Sequence, residues 1–232
     1  MRNIFCGDIH GELRQLVFEV GVRRGIRDAN VIVLGDFGVG FGRPHSMEHQ
    51  YERVRKRLEK YNLIIWAVRG NHDDPAFFDG THDFERLHFL PDYSITNIGG
   101  YSVYAIGGAI STDRKWRLEK QKKMKTKIWW PEEGVIRKDD GFPTKVDVII
   151  SHTAPIQFAP IPSRYDDMDL DLFEEILEER RYLGTLVQEI NWKRWFYGHF
   201  HEHNYWGMAD KIATGLGIME LLEIPEKEEE GD

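Results

Sequence analysis

The chain is short of cysteine, of long apolar runs and of net positive charge, and each shortage narrows what it can be. Cys6 is the only cysteine in 232 residues, so an intramolecular disulfide is impossible and a reducing, cytoplasmic location is expected. No uninterrupted apolar stretch approaches the ~20 residues that span a bilayer, so no membrane crossing is expected. The N-terminal segment MRNIFCGDIHGE has no apolar signal core, and removal of a leader is not expected. A formal charge of −8 argues against a protein that coats nucleic acid with its whole surface. No internal repeat breaks the chain into modules.

The charge is unevenly spread. Between Arg114 and Lys127 eight basic residues face the single acid Glu119, a local charge of +7 that leaves −15 for the rest. Such an island reads equally as a solvated helix face and as a landing site for an anionic substrate. It lies within residues 111–141, a segment long for a plain connection, which also carries Trp116, Trp129 and Trp130 and reads as an insertion. At this length one domain is expected over residues 1–224, followed by a Glu-rich tail, 225–232, with no apolar residue to anchor it and disorder as its expectation.

Short apolar runs bounded by glycine or polar residues alternate with helical patterns, the mark of layered α/β architecture. Strands are predicted over Arg2–Cys6, Asn30–Leu34, Leu63–Val68, Val146–Ile150 and Arg194–Tyr197. Leu13, Leu16, Val17 and Val20 fall at helical spacing, further helices are predicted over Met47–Tyr61 and Leu170–Ile190, the latter with a break at Gly184, and Tyr93–Gly108 reads as a hairpin. Most of the strands are continuously apolar and therefore covered on both faces, which favours packed sheets with helices outside.

Candidate metal ligands stand where these strands end, nearly all beside glycine: Gly7-Asp8-Ile9-His10-Gly11, Gly35-Asp36, Gly70-Asn71-His72-Asp73, Ser151-His152 and Gly198-His199-Phe200-His201. Loops at strand carboxyl ends converge while the sheet holds them. Asp8 with His10, and His199 with His201, are two apart, so an extended backbone would project each pair to one side. Singly, a Gly-Asp is a turn and a lone histidine a satisfied side chain; five such pieces after five strand-like runs form a pattern. Mixed imidazoles and carboxylates suit manganese, iron, cobalt, nickel or zinc rather than an all-oxygen cage, and seven ligands suit two ions better than one. His45, His49, His82, His88 and His203 lack this context and are read as structural, His203 being the nearest to an exception.

In order, these motifs resemble those of the calcineurin-like metallophosphoesterase superfamily: Asp-x-His, Gly-Asp, Gly-Asn-His-Asp or Glu, a His, and Gly-His-x-His. The resemblance spans residues 7 to 203 and implies a four-layer α/β/β/α sandwich. It implies that Asp8, His10 and His201 hold one divalent ion, Asn71, His152 and His199 a second, and Asp36 both, with manganese the leading choice of metal. It implies that His72 contacts the phosphate and acts as general acid, while metal-bound hydroxide attacks phosphorus.

The second motif departs from that of the protein Ser/Thr phosphatases, which continue Gly-Asp-x-x-Asp-Arg-Gly where this chain has Gly35-Asp36-Phe37-Gly38-Val39-Gly40, and the third ends in Asp73 rather than Glu. The Asp that supports the catalytic histidine and the Arg that grips phosphate are missing. The expectation therefore leans to a nucleotide, a nucleic-acid end or another small phosphoester, diesters included. The alternatives are a phosphomonoesterase of the protein phosphatase type and a non-catalytic scaffold, the latter disfavoured because every ligand and His72 are retained. Lys115 or Arg117 is the candidate replacement for the missing phosphate grip; Trp129 and Trp130 either present a face to substrate or pack the insertion down.

Overall fold

A computed structural model describes residues 1–40, 46–124, 127–158 and 169–227. Its first strands, β1 (Arg2–Cys6), β2 (Ala29–Val33) and β3 (Leu63–Ala67), alternate between two apolar surroundings rather than between core and water. Ile4, Cys6, Val31 and Val33 face a cluster formed with helices α1 (Leu13–Val17) and α2 (Ser46–Tyr61), whereas Phe5 and Ile32 face a second sheet. α1 continues as a wider-pitched turn over Phe18–Arg23. α2 buries Met47, Tyr51, Val54 and Leu58, one stripe at helical spacing.

The chain continues through β4 (Asp83–Phe84), β5 (Leu87–Phe89), β6 (Ile95–Ile98), β7 (Tyr101–Ile106), α3 (Arg114–Met124), β8 (Val148–Ser151), α4 (Leu170–Glu189), β9 (Arg194–Tyr197), β10 (Asn204–Met208), β11 (Lys211–Gly215) and β12 (Leu221–Ile224). One sheet has the order β12-β1-β2-β3-β5-β4 and the other β10-β11-β9-β8-β7-β6. In each, four central strands are parallel and both edge strands antiparallel. Three apolar cores separate four layers: helices α1 and α2, the first sheet, the second sheet, and α4. The expected α/β/β/α sandwich is what forms. Phe5 stacks on Phe196 across the inter-sheet core with ring centroids 3.9 Å apart, each buried ring contributing roughly 1.5–3 kcal/mol.

Register sets up the site. Cys6, Val33 and Ala67 lie side by side at the ends of β1, β2 and β3, and Ile106, Ser151 and Tyr197 do the same in β7, β8 and β9. Loops leaving these strands start from two level rims.

The hairpin is β6–β7, closed by Gly99 and Gly100, whose φ of +57° and +87° are what a two-residue turn of this hand needs. α4 does not break at Gly184: the helix is continuous, and the glycine is there because a Cβ would come within 2.8 Å of the Gln157 side chain. β8 begins two residues later than predicted, since Asp147 turns its carboxylate to the backbone N–H and hydroxyl of Ser102. Within the tail, Pro225 accepts from the Tyr101 hydroxyl and Lys227 pairs with Asp147 at 2.7 Å; the expectation of disorder for 228–232 lies outside the described residues. Among the described residues no helix is long and apolar enough to cross a membrane.

Candidate active site

Asp8, Asp36 and Asn71 sit just past β1, β2 and β3, and His152 and His199 just past β8 and β9. The rims approach closely enough that only glycine fits between them. A Cβ on Gly35 would lie 2.2 Å from Nδ1 of His152, and one on Gly198 would lie 2.3 Å from Oδ1 of Asp8.

On one side, donor atoms of Asp8, His10, Asp36 and His201 all fall within 4.8 Å of one another. Nε2 of His201 is 3.0 Å from Oδ2 of Asp8 and 3.2 Å from Nε2 of His10, and Nδ1 of His10 is 3.7 Å from Oδ2 of Asp36. Asp8 accepts the backbone N–H of His199 on Oδ1, but its buried Oδ2 has no hydrogen bond among the described residues. A buried carboxylate oxygen left unbonded amid three imidazole and carboxylate donors fits a divalent cation.

On the other side, Nε2 of His152 lies 3.2 Å from Oδ1 of Asp36 and 2.9 Å from Oδ1 of Asn71, with the His199 ring 5.0 Å from the His152 ring. His152 donates from Nδ1 to the Leu34 carbonyl at 2.8 Å, which turns Nε2 toward the cluster. Burial alone would depress His152, but Asp36 and Asp8 outweigh it and push its pKa up to about 9. Burial likewise opposes ionisation of Asp36, yet His152, His72 and His10 hold its carboxyl far below the usual carboxylate range. The same negative field that draws a proton to Nε2 would draw a metal ion.

The backbone is bent at four of the candidate ligands: φ is +45° at His10, +46° at Asp36, +67° at His199 and +59° at His201. Left-handed backbone at a non-glycine residue costs roughly 1–3 kcal/mol and persists where surroundings enforce it. The expectation that an extended chain points His199 and His201 the same way is therefore corrected. His199 is the centre of a tight turn closed by the Phe200 N–H on the Gly198 carbonyl at 2.8 Å, so its ring goes to His152 and that of His201 to Asp8.

His72 donates its backbone N–H to Oδ1 of Asp36 at 2.8 Å, and its Nε2 lies 3.6 Å from Oδ2. The Arg117 guanidinium is buried, donates from Nε to Asp113 at 2.7 Å and from Nη1 to the Asn71 carbonyl at 3.2 Å, and sets Nη2 against Nε2 of His72. Burial, with Arg117 and His10 adding to it against Asp36, brings the His72 pKa down to about 4. His10, Asp36, Asn71, His72, Arg117, His199 and His201 line one cavity of about 410 Å³, together with Thr112, Asp113, Phe200 and Glu202.

With this geometry in view, residues 1–203 match the model of the calcineurin-like phosphoesterases. The chain belongs to that family. This phosphoesterase is accordingly a metal-dependent hydrolase of phosphoric esters, working with divalent metal ions. No curated protein matches it in sequence. Among solved structures it is similar to the phosphopantetheinyl hydrolase of Mycobacterium tuberculosis, with 12% identity, 94% of this chain and 90% of that one covered, and a TM-score of 0.42.

Of the two candidate phosphate grips, the phosphoesterase turns Arg117 into the cavity and leaves Lys115 exposed on α3, outside the cavity lining. Trp130 is buried and Trp129 half-buried, while Trp116 is 54% exposed with Lys120 4.1 Å above its ring. His203 pairs with Glu220, His88 with Asp83 and His82 with Asp79, none of them in the cavity; His45 lies outside the described residues.

Asp73, which ends the third motif, has a role that the motif alone does not reveal. Its buried carboxylate accepts the N–H groups of Phe37, Gly38, Val39 and Gly70 at 2.7–3.1 Å, tying the loop after β2 to the loop after β3. Burial and the nearby Asp36 charge push it up to about 6 against the N–H groups of Gly70, Val39 and Gly38. The available signal was the glycine-rich 38–40 loop, whose amides need an acceptor.

Proposed function

We propose that this phosphoesterase acts through two divalent ions, one held by Asp8, His10 and His201, the other by Asn71, His152 and His199, with Asp36 shared, and that it hydrolyses a nucleotide, a nucleic-acid end or another small phosphoester, diesters included. The observation that carries the reading is the position of Asp36, whose Oδ2 faces His10 while its Oδ1 faces His152. Two divalent ions against the carboxylates of Asp8 and Asp36 leave a net positive centre matched to phosphate, and the ions, when bound, supply the Lewis acidity that activates water near neutral pH.

The remaining chemistry belongs to the side chains. Arg117, braced by Asp113, offers the cavity a guanidinium of the kind the missing Asp-Arg pair would have contributed. Before substrate arrives, His72 is neutral and faces this cation. The negative charge of an entering phosphate raises the His72 pKa, so that a proton on Nε2 becomes available to the leaving oxygen.

The lean to small phosphoesters is supported by the absent protein phosphatase motif and by the single guanidinium, that of Arg117, which α3 turns into the cavity. A screen of nitrophenyl monoester and bis-nitrophenyl diester, cyclic and linear nucleotides, RNA ends, dinucleotides and phosphopeptides, each with manganese, nickel, cobalt and zinc, tests it. Nucleotides or diesters are expected to turn over fastest. Turnover confined to phosphopeptides rejects the substrate class and leaves the centre standing; normal turnover by metal-loaded His72→Ala removes His72 from the mechanism.

A further inference from the structure

An asparagine ligand poses a problem that a carboxylate does not. The two ends of its amide are nearly equal in shape, yet only the oxygen can bind a cation. Asn71 stands at 2% exposure, so water is not there to sort the two orientations. We propose that Ser111 and Glu133 are positioning residues that hold the Asn71 oxygen toward the centre, and so set the affinity of its ion; this rests on the assignment of Asn71 as a ligand.

The argument follows the protons. Asn71 donates from Nδ2 to the Ser111 hydroxyl at 2.9 Å. That hydroxyl has one proton, and it is directed to Oε2 of Glu133, a carboxylate that can only accept. What Ser111 presents to Asn71 is a lone pair. A flipped amide would set its own oxygen against that lone pair, with no proton between them. The unflipped amide leaves Oδ1 2.9 Å from Nε2 of His152, among the proposed ligands.

Glu133 is in turn held in place. Ser111 and Glu133 are each 1% exposed. The Ser111 backbone N–H donates to Oε1 at 3.1 Å, and Arg114 approaches the same oxygen at 3.3 Å. Arg69, two residues before Asn71 and itself buried, donates to the carbonyls of Glu132, Glu133 and Gly134 at 2.7–3.0 Å. One strand end thus carries both the ligand and the clamp on the segment that orients it. Ser111 and Glu133 serve the centre from behind, while Arg117, between them in sequence, serves it from the cavity.

Calorimetric titration of the metal-stripped full chain with Co²⁺, with visible absorption followed in parallel, tests this. The wild type is expected to take two equivalents. Asn71→Ala should weaken one of them, and Ser111→Ala should weaken the same one by about 10- to 100-fold, the cost typical of losing a ligand's outer partner. In an Asn71→Asp background either oxygen can ligate and orientation no longer matters, so adding Ser111→Ala should then change affinity by less than about threefold. A segment that merely packs would lower thermal stability equally in both backgrounds and leave the affinities alone. Equal affinity loss in both backgrounds, or no loss in Ser111→Ala where Asn71→Ala shows one, overturns the inference while the centre stands. Two unaltered equivalents in Asn71→Ala overturn the ligand assignment and this inference with it. Should Ser111→Ala fail to fold, Glu133→Gln carries the same comparison, with a severalfold loss expected beside Asn71 and none beside Asn71→Asp.

Discussion

His152 and Asn71 are sealed from solvent, at 0% and 2% exposure, whereas the side chains of His10 and His201 keep 29% and 46%, although all four belong to the cluster around the Asp8 and Asp36 carboxylates. The interior side is oriented by groups behind it, the Leu34 carbonyl on His152 and Ser111 on Asn71. On the open side His10 and His201 lean on each other and on Asp8. The two sides of the cluster, which carry similar side chains, thus differ in how much of their geometry is held by the fold. An ion on the interior side should be held more tightly and exchange more slowly, leaving the open side to vary with substrate and solution conditions.

The largest effect should come from the residue both sides share. Asp36→Asn is expected to cost both ions by elemental analysis and to lower activity by more than about 10⁴-fold; retention of one tightly bound ion would break the shared role. Next, His152→Ala should weaken metal binding roughly tenfold more than His201→Ala, because the first removes a side chain oriented from behind by the Leu34 carbonyl and the second a half-exposed one. Equal or inverted losses in a chelator competition would erase the contrast. His72→Ala should keep both ions and reduce kcat about 10²-fold, which steady-state kinetics with metal analysis reads directly.

The smallest effect is on the stability of the metal-stripped chain. The pKa of His152 is raised from its ordinary 6.5 to about 9, so its pairing with Asp36 contributes fully below about 6.5 and is lost as pH rises through about 9. The depressed Asp36 contributes above the ordinary carboxylate range and loses its contribution on strong acidification. Urea unfolding between pH 6 and 10 should show a loss of about 2 kcal/mol that His152→Ala abolishes, smaller than the full shift implies because both partners report one interaction. His201, raised by its contact with Asp8 but half in solvent, should add a shallower slope.

Much of this was legible in the chain because the signals are local. An apolar run that stops at Gly-Asp or Ser-His announces a buried strand and a residue the interior has no apolar use for, and the five strands read this way form with boundaries within two residues of expectation. Of the strands that escaped, β4, β5, β10 and β12 are short or lie at sheet edges, where half-exposed sequences such as Asn204–Met208 lack a continuous apolar signature, and the interior strand β11 buries only Ala213, Thr214 and Gly215, too few apolar residues to mark a run. Asp73 and Glu133 carry no local signal, because a buried acid is recognisable only through its partners. Those partners are the 37–39 amides for one and Ser111 for the other.

The layered architecture, the strand ends at which the Asp, Asn and His side chains stand and the kind of chemistry such side chains can do are written in the chain itself, since each depends on neighbours a few residues away. Which of these side chains face each other follows from packing alone. A left-handed turn at His199 separates two histidines that lie two residues apart, register brings Asp36 between rims belonging to different sheets, and a hydroxyl forty residues from Asn71 orients its amide. Such relations depend on where packed layers bring distant loops together, and no window of sequence contains them.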